Sequence, residues 1–576
     1  MIEDLNTINV MDFYDEQKYG SDMTLAVLAA LEQCRLVVNA CLKFPKGIYH
    51  FWPDDAFEHH YWISNNDPGI KKIAFPLLGF HNLVVDGNGS EFIFHGRILP
   101  FVIDYSSGII VKDIIIDYDR PFFSQALIVE ADSNHVDLSF DKDEFPYRVE
   151  DGKIVFYGSN WESEDQTIML MTEFSPATKA PAYQQGIYLT KFPQFTKKLD
   201  PVFDSMTKLV VAEERPNGVV RLTAQLDVIH KPGNILTIGH EDRYNPGFFL
   251  QNSENIHFES VTIYHVGSMG VIAQLCTDIH IKSLRIKLRE GTSRIITTNA
   301  DATHFVNCKG LIEIEECVFE NMLDDATNIH GICTIVSQLL SKDTIEVELQ
   351  HYQQFGINFY IPGDLISFID RKTLLPLHNA VVKTSVLLDS SHLLITMEDD
   401  IEGKITINDA VYNFSRMPSV LIRKCRTGRN RSRGLLITTP MRTVIEENVF
   451  YNAQFAINIT GDANYWFESG AVRDILIQKN HFLDCGYANV GGYIISISPE
   501  IGQLNEDNEC YHRGIVITNN DFETYENGLL YARSVNGLTF TENRYKQTCT
   551  YQNSNAEEQQ VMIETCKNVK VEDTYV

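Results

Sequence analysis

Basic side chains are scarce in this sequence of 576 residues, where 48 Lys and Arg stand against 77 Asp and Glu. The formal net charge is −29, and no run of Lys and Arg is long enough to form a basic stripe. Proteins that bind nucleic acid or anionic membranes depend on such stripes. The composition therefore disfavours both partners. It disfavours a polyanionic substrate more weakly, because a local basic pocket can coexist with an acidic surface.

Long apolar runs and paired cysteines are also missing. No stretch of about 18 apolar residues occurs, so the sequence predicts no membrane span. The eleven cysteines are an odd number and include no Cys-x-x-Cys pair, which argues against a zinc ribbon and a full disulfide framework. The first residues lack the basic and apolar regions of a secretory signal. Localisation stays open between a chain kept in the cell and a periplasmic or secreted chain whose signal was removed.

A pattern of apolar residues recurs from residue 83 onward. It has apolar residues at its first and third positions, a small, apolar or Asn residue at the sixth, and a large apolar residue at the eighth. Neighbouring copies lie as close as 23 residues, with longer excursions between others. A fixed minimum with variable excursions is typical of a solenoid whose loops differ in length. We therefore predict an all-β solenoid of parallel strands, whose copies start at Leu83, Ile109, Ile256, Ile279, Ile312, Val420, Thr443, Ile475, Ile515 and Leu538.

The sixth position of the pattern predicts a buried column. Asn448, Asn480, Asn520 and Asn543 occupy it in successive copies and are expected to form an amide ladder. Cys317 and Cys425 fall in the same column, and three further cysteines stand just ahead of a strand: Cys276, Cys308 and Cys566. Buried thiols behave as small hydrophobic groups. We therefore predict core positions for these five cysteines.

The N-terminal region predicts a cap. An amphipathic helix is expected around residues 23–33, with Leu25, Leu28, Ala29 and Leu31 on one face. The Phe-Pro-x-Gly-x-Tyr peptide of residues 44–49 follows it. This arrangement resembles the cap that opens the right-handed parallel β-helices of the pectin-lyase-like superfamily. A cap is physically necessary, because the first coil would otherwise expose its core and its strand edges.

Two gaps interrupt the pattern, between residues 114 and 261 and between residues 317 and 425. Both contain short β-type runs with turn signals. Both also contain similar eight-residue peptides that begin with Pro-Gly, at residues 232–239 and 362–369. We interpret them as related β-barrel-like insertions that flank a site. The predicted division is a cap with the first coils at 1–120, an insertion at 121–246, coils at 247–331, a second insertion at 332–417, and C-terminal coils at 418–576.

An acidic segment at residues 299–331 is the strongest functional signal. Asp301-Ala-Thr recurs as Asp325-Ala-Thr 24 residues later, with Asp324 beside it. If one coil separates the copies, three carboxylates share one patch, and one of them holds its proton at neutral pH. A protonated acid beside an ionised base is what glycosidic cleavage requires. Asp-Asp pairs also occur in ordinary turns, but the similar peptide that begins at Asp301 favours a functional site.

Six further residues are candidates for substrate binding. Arg433, one coil further on, either bonds to sugar hydroxyls, tunes the carboxylates or is simply solvated. Trp466 and Glu468 lie in an aromatic loop that either forms a sugar subsite or plugs the structure. His265 and Gln274 precede the aspartates and either line the pocket or are structural. His330 belongs to the acidic segment itself.

These residues resemble two enzyme families. Asn299-Ala-Asp301, Asp324-Asp325 and Ile329-His-Gly331 are similar to the three-aspartate arrangement of the inverting polygalacturonases of glycoside hydrolase family 28. The closer resemblance is to glycoside hydrolase family 110, the bacterial α-1,3-galactosidases. It extends through the cap, both insertions and the aromatic loop, and so covers essentially the whole chain.

The second resemblance implies a specific activity. It implies exo-cleavage of terminal α-1,3-linked galactose, as in blood group B or linear α-gal glycans, with inversion and without a metal or other cofactor. Asp324 would be the general acid, and Asp301 and Asp325 would activate water. The acid and base should then lie about 6.5–9.5 Å apart.

Two alternatives remain open from the sequence. A family 28-like polygalacturonase would need Arg or Lys side chains to pair with uronate carboxylates, and only residues 423–433 offer a cluster of them. A non-catalytic β-helix adhesin would bind glycans without needing stacked carboxylates. The expected partner is an oligosaccharide or glycoconjugate with terminal α-galactose, and the sequence leaves a homo-oligomer open.

Overall fold

The computed structural model describes residues 5–184, 186–197, 201–226, 228–241, 243–488, 492–502, 509–553 and 559–572. Strands dominate this part of the chain, and they form a parallel β-helix with two insertions. The predicted all-β, right-handed parallel β-helix is confirmed. None of the helices in the described residues combines the length and the apolar character needed to cross a membrane.

Each coil of the β-helix contributes one strand to each of three parallel faces, as the repeated pattern requires. The first face consists of Asn6–Asn9, Ala40–Lys43, the first parts of His81–Phe94 and Ser107–Tyr118, Glu254–Glu259, Thr277–Lys282, Lys309–Glu315, Ser419–Arg423, Thr443–Glu446, Ile475–Gln478, His512–Thr518, Val535–Thr541 and Lys567–Val571. The second face consists of Ile48–Phe51, the second parts of the same two long strands, Thr262–Ile263, Arg285–Ile286, Val318–Glu320, Arg426–Gly428, Val449–Tyr451, His481–Leu483, Asp521–Thr524 and Arg544–Gln547.

The third face carries the acidic segment. It consists of Gly69–Leu78, Leu99–Asp104, Phe248–Gln251, Val271–Gln274, Thr303–Val306, Thr327–Leu339, Leu435–Ile437, Ile457–Ile459, Ile495–Ile497, Leu530–Arg533 and Val561–Glu564. Phe57–Tyr61 adds an antiparallel strand at its start. Alternate side chains of all three faces point inward and form one continuous hydrophobic core along the solenoid.

The predicted register between coils is confirmed. Ile256 pairs with Ile109 on one side and with Ile279 on the other. Farther along, Ile312 pairs with Val420, so the chain resumes the β-helix in register after the second insertion. Coil stacking therefore continues across both gaps in the sequence pattern.

The predicted amide ladder is also confirmed. The side-chain oxygen of Asn480 accepts hydrogen bonds from the backbone and side-chain nitrogens of Asn448, each at 3.0 Å. Asn520 and Asn543 repeat this arrangement. Cysteines continue the column, because the Cys425 backbone N–H donates to Asn448 Oδ1 at 2.8 Å. Four of the five cysteines predicted in the core are buried, and Cys566 is half-buried.

The cap contains the predicted helix, at Thr24–Cys34, but of the predicted face Leu31 alone is buried. Ala26, Val27, Ala30, Leu31 and Cys34 are buried, whereas Leu25 and Leu28 are half-buried and Ala29 is exposed. Periodicity could not select the face, because the helix is apolar on nearly all sides and its small alanines permit close packing. The remaining helices are short: Val10–Phe13, Glu16–Tyr19, Pro201–Met206, Pro216–Gly218 and Tyr352–Gln354.

The first insertion is a sheet folded around its own core, antiparallel except where Ile187–Lys191 pairs in parallel with Thr207–Leu209. Its strands are Phe123–Ala131, His135–Phe140, Met169–Ser175, Ala180–Pro181, Ile187–Lys191, Thr207–Leu209, Val211–Arg215, Val219–Thr223 and Ile235–Gly239. A smaller set of strands lies beside it at Tyr147–Glu150, Lys153–Gly158 and Trp161–Glu162.

The second insertion is a closed six-stranded antiparallel barrel. Its strands are Thr327–Leu339, Thr344–Glu348, Leu365–Ile369, Pro376–Leu387, His392–Met397 and Ala410–Asn413. The first of these strands begins on the third face of the β-helix and continues into the barrel. The barrel is therefore joined without a loop to the coil that carries Asp325.

Candidate active site

The register of the third face brings the acidic residues together. Thr303 pairs with Thr327, and Thr327 pairs with Leu435. Asp301, Asp325 and Arg433 each stand two residues before these positions, so they stack at one edge of the face. One carboxylate oxygen from each of Asp301, Asp324 and Asp325 lies within 4.8 Å of the other two. The predicted stacking is confirmed, and we call these three residues the aspartate trio.

The oxygens of the trio approach one another closely. The resemblance implied about 6.5–9.5 Å between the acid and base carboxyl groups, whereas the nearest oxygens of the three aspartates lie within 4.8 Å of one another. The two measures join different points, and the expected separation stays a prediction. Charge compensation favours the close approach, because three guanidinium groups pair with two of the three carboxylates.

Three arginines provide that compensation. Arg433 donates from its backbone N–H and its Nε to Asp325 Oδ1, both at 2.9 Å, and its Nη2 lies 2.8 Å from Oδ2. Arg431 Nη2 lies 2.8 Å from one oxygen of Asp324, and Arg243 pairs with the other oxygen. Of the roles considered for Arg433, the structure therefore shows the pairing that tunes a carboxylate.

The three carboxyl groups have different pKa values. Burial raises the pKa of Asp301 to about 8, and the negative charge of Asp324 adds to the shift. Burial also raises the pKa of Asp325, to about 6, against the opposing charge of Arg433. Burial alone would raise the pKa of Asp324 as well, but Arg431 and Arg243 outweigh it and lower that pKa to about 2.

The directions of these shifts favour Asp301 as the site of the proton in the free protein, whereas the resemblance implied Asp324, and the catalytic roles of the aspartates stay predictions. Asp324, which the resemblance implied as the general acid, is the carboxylate that the arginines hold ionised. Asp301, which the resemblance implied as part of the base, keeps its proton at neutral pH. The sequence could not show this, because two of the responsible arginines come from elements far along the chain.

A pair of buried histidines lies behind Asp301. His304 Nδ1 is 2.7 Å from Asp301 Oδ2, and His304 Nε2 is 2.9 Å from His330 Nε2. His330 Nδ1 in turn donates to the carbonyl oxygen of Gly331 at 2.9 Å. Sequence reasoning missed His304, although it stands within the Asp-Ala-Thr-His segment. Its counterpart in the next coil is Asn328.

Glu468 and Trp466 reach the site from the aromatic loop. Glu468–Ser469 pairs antiparallel with Gly331 and Ile332, just beyond the acidic segment. Glu468 is buried, and its Oε1 lies 3.5 Å from His330 Nε2 and 3.4 Å from Asn65 Nδ2. Trp466 stays 44 % exposed, with its ring 5.4 Å from that of His351. Glu468 therefore belongs to the interior of the site, and Trp466 offers an open aromatic surface.

Three residues predicted to contact substrate are buried in the structure. His330 is buried with both ring nitrogens engaged by the protein. His265 is buried among aromatic rings, and its Nε2 accepts from the backbone N–H of Phe122. Gln274 is buried and bonds to Ser64, Trp62 and Gln251. His330 and Gln274 are held by hydrogen bonds within the protein, whereas Nδ1 of His265 is buried without a hydrogen-bond partner among the described residues. Substrate contact by these three residues stays a prediction.

Arg243 and Arg431 are the remaining residues that the sequence did not single out. Arg431 lies in the basic cluster 423–433, which drew attention as a whole. Arg243 stands on the segment by which the chain returns from the first insertion, and nothing in its local sequence indicates a role. Its pairing with Asp324, 81 residues later, exists only because the insertion returns the chain beside the third face.

The trio also has the oxygen ligands that a divalent cation would take, since the three carboxylates are close enough to share one ion. The paired arginines already balance much of this negative charge. Two described cavities, of about 490 and 440 Å³, lie elsewhere, the first on the first insertion beside Trp161 and the second beside Trp62 and Tyr105. The aspartate trio borders neither cavity and reaches solvent through Asp324, whose side chain is 14 % exposed.

Comparison with known proteins identifies relatives of the whole chain. Two family models match, GLAA-B beta-barrel domain I over residues 124–236 and GLAA-B beta-barrel domain II over residues 344–411. The chain is 35 % identical over 547 residues to alpha-1,3-galactosidase A of Shewanella woodyi, covering 94 % of this chain and 86 % of that protein. It is 30 % identical to alpha-1,3-galactosidase B of Bacteroides thetaiotaomicron, covering 99 % and 91 %. A solved exopolygalacturonase from Thermotoga maritima is 11 % identical with a TM-score of 0.40, covering 99 % of this chain and 92 % of that one.

Proposed function

Because the chain belongs to the α-1,3-galactosidase family, we propose that it hydrolyses the glycosidic bond of terminal α-1,3-linked galactose. The observation that carries this proposal is the aspartate trio, in which one proton and two ionised carboxylates meet at one edge of the third face. Hydrolysis of a glycosidic bond needs a proton donor for the leaving oxygen and a carboxylate on the sugar's other side. The trio supplies both.

The protonation states of the three aspartates indicate a separate role for each of them. Near neutral pH the trio holds one proton, and the free enzyme keeps it on Asp301. Asp325 is then ionised and fixed by Arg433, which suits a group that orients and deprotonates water. Asp324 is ionised between two arginines and stabilises the positive charge that develops on the sugar ring.

We further propose inversion of the anomeric carbon. A retaining enzyme needs one nucleophile and one acid-base group, whereas this site has a third carboxylate that can share a water molecule with its neighbour. The short spacing within the trio is the opposing observation. Stereochemistry is therefore measured directly, by proton NMR of the anomer released first.

The burial of the trio supports exo-action. The side chains of Asp301 and Asp325 are 4 % and 1 % exposed, so the reacting bond must enter a recess rather than lie along an open cleft. A recess of this kind fits a chain end. Trp466, at the exposed side, offers an apolar surface to the C–H face of the next sugar. Replacement of Trp466 by Ala is expected to raise KM while kcat changes little.

The polygalacturonase alternative loses its support in the structure. It required free basic groups in the cluster 423–433. Arg423 and Lys424 pair with Glu315, Arg426 and Arg429 pair with Glu320, and the last two arginines hold the trio. No basic group of this cluster is left for a uronate carboxylate.

The test is galactose release from a linear α-1,3-linked digalactoside, with polygalacturonate as the competing substrate. The native chain is expected to release galactose, and Asp325→Asn is expected to lose roughly 10²- to 10⁴-fold in kcat, the usual contribution of acid-base catalysis. Asp137→Asn, on the first insertion, is the matched control and is expected to keep native activity. No turnover by the native chain on a panel of linear and fucosylated blood group B glycans would overturn the proposal.

A further inference from the structure

The buried chain from Asp301 to Gly331 constrains where protons lie. The Gly331 carbonyl oxygen can only accept, so His330 Nδ1 must carry a hydrogen. If His330 is neutral, its Nε2 is an acceptor, and His304 Nε2 must donate to it. If His304 is also neutral, its Nδ1 is an acceptor, and Asp301 Oδ2 must donate to it. One backbone carbonyl therefore orients every proton up to the aspartate.

From this chain of contacts we propose that His304 and His330 are positioning residues, which hold the proton of the aspartate trio on Oδ2 of Asp301. The inference rests on the proposed function and deepens it, since it explains which oxygen of Asp301 carries the proton. Neither histidine touches the substrate in this proposal. Both act through Asp301.

Two other arrangements with the same number of protons fit these contacts. In the first, the Asp301 O–H bond breaks and a His304 Nδ1–H bond forms, so Asp301 is a carboxylate and His304 a cation. In the second, the His304 Nε2–H bond also breaks and a His330 Nε2–H bond forms, so the cation is His330. The arrangements differ only by the movement of one or two protons along existing hydrogen bonds.

Burial favours the neutral arrangement. Both rings are enclosed, with relative exposures of 2 % for His304 and 1 % for His330. Burial lowers the pKa of His304 to about 4, and it lowers the pKa of His330 as well. A buried imidazolium would lose its hydration without full compensation. Both rings are therefore neutral at pH 7, as the proposal requires.

Charged groups of both signs surround the two rings. Glu468 faces both histidines and favours a cationic His330, but its Oε1 is 3.5 Å away and it also interacts with Asn65, Asn328 and Arg433. Arg243 faces His304 and opposes a positive charge there, whereas Asp324 and Asp325 favour one. These effects on the pKa values of the two histidines partly cancel. The loss of hydration on burial remains the largest contribution, and it lowers both pKa values.

The consequence for the reaction is that the trio's proton has a fixed place. With Asp301 protonated, Asp325 and Asp324 remain ionised against their arginines. The arginines already disfavour a proton on Asp324 and Asp325. The histidine pair adds an acceptor for the proton of Asp301 and fixes it on Oδ2.

The decisive measurement is nitrogen NMR of the native protein labelled with ¹⁵N-histidine, at pH 6.5–7.5. Both rings are expected to be neutral, with the hydrogen on Nδ1 of His330 and on Nε2 of His304. A doubly protonated His304 or His330, or the opposite tautomer of either ring, would overturn the proposal. His304→Asn and His330→Asn assign the signals. If these variants do not fold, neutron diffraction from native crystals reports the same hydrogens.

A kinetic test uses His304→Phe. This change removes the acceptor that stabilises protonated Asp301, so the alkaline limb of the pH profile of kcat/KM is expected to move down by about one pH unit. His512→Phe, a buried histidine in a distant coil whose Nδ1 accepts from Val472, is the matched control and should leave the limb in place. An unchanged limb in His304→Phe would contradict the positioning role. The NMR result stands even if the native protein shows no galactosidase activity, so the two failures are distinguishable.

Discussion

At the level of single side chains, three arginines make three similar aspartates chemically different. Asp324 has two guanidinium partners, Asp325 has one and Asp301 has none within hydrogen-bond distance in the described structure. The pKa values follow the same order, at about 2, about 6 and about 8, and burial pushes all three upward. The trio is therefore expected to titrate as one unit that holds a single proton between pH 6 and pH 8.

The order of the three pKa values predicts which aspartate variant regains activity on substrates with good leaving groups. A variant that lacks the proton donor should lose most activity on poor leaving groups and recover on activated aryl galactosides, which need little protonation. If the three aspartates keep the charges of the free enzyme when substrate binds, Asp301→Asn is the variant that should regain activity on activated aryl galactosides. Recovery of Asp324→Asn instead would show that substrate moves the proton to Asp324, as the family resemblance implied. Equal loss on all substrates in both variants would exclude either residue as the donor.

The raised pKa of Asp301 also predicts a stability effect. Folded Asp301 holds a proton between about pH 4 and pH 8 that the unfolded chain has released, so the free energy of unfolding falls by about 1.4 kcal/mol for each pH unit of increase in that window. Asp301→Asn removes this cost, and its amide can still donate to His304. The variant should melt at a higher temperature than the native protein, with a larger difference at pH 8 than at pH 5. A pH-independent difference would refute the raised pKa.

At the level of structural elements, the stacked coils carry the fold. The sequence pattern predicted the register correctly, because a period-two strand can bury its apolar residues in only one register. It also predicted the column from Cys317 to Asn543. It did not predict the buried face of Thr24–Cys34, where hydrophobicity is too uniform to indicate a direction.

The amide ladder gives a direct test of this stacking. Asn480→Ala removes a side chain that accepts from Asn448 and donates to the carbonyl oxygen of Ile445, so buried polar groups lose their partners. The expected loss is about 2–4 kcal/mol in the free energy of unfolding, measured by urea denaturation. Cys425→Ala, in the same column, leaves fewer unpaired groups and should cost less. A cost for Asn480→Ala below that of Cys425→Ala would contradict the ladder's role.

At the level of the whole molecule, the insertions complete a site that the solenoid only begins. The stacking of Asp301 on Asp325 follows from the repeat of Asp-Ala-Thr after 24 residues and could be predicted. The charge states of the three aspartates could not be predicted, because Arg243 reaches the trio on the return from the first insertion. Similarly, the strand Thr327–Leu339 leads into the barrel and pairs with Glu468–Ser469 on the way. Contacts between distant segments of this kind leave no periodic trace in a single sequence.

Arg243 therefore tests the contribution of the first insertion. Arg243→Met keeps the length of the side chain but removes one of the two charges on Asp324, so the pKa of Asp324 should rise from its low value. We expect kcat to fall roughly 10- to 100-fold, in line with the loss of a charge-assisted hydrogen bond of about 1.5–3 kcal/mol. Arg97→Met removes a pairing with Glu241 on the same return segment and is the matched control. Equal effects of the two changes would mean that Arg243 only supports folding.

Time-resolved proton NMR of the native enzyme acting on a linear α-1,3-linked digalactoside tests most directly whether the aspartate trio hydrolyses this bond by attack of water. β-Galactose should appear first and then equilibrate with the α-anomer, and the same experiment with Asp325→Asn should show no galactose on that timescale. Release of α-galactose first, or release by Asp325→Asn at the native rate, would contradict this mechanism.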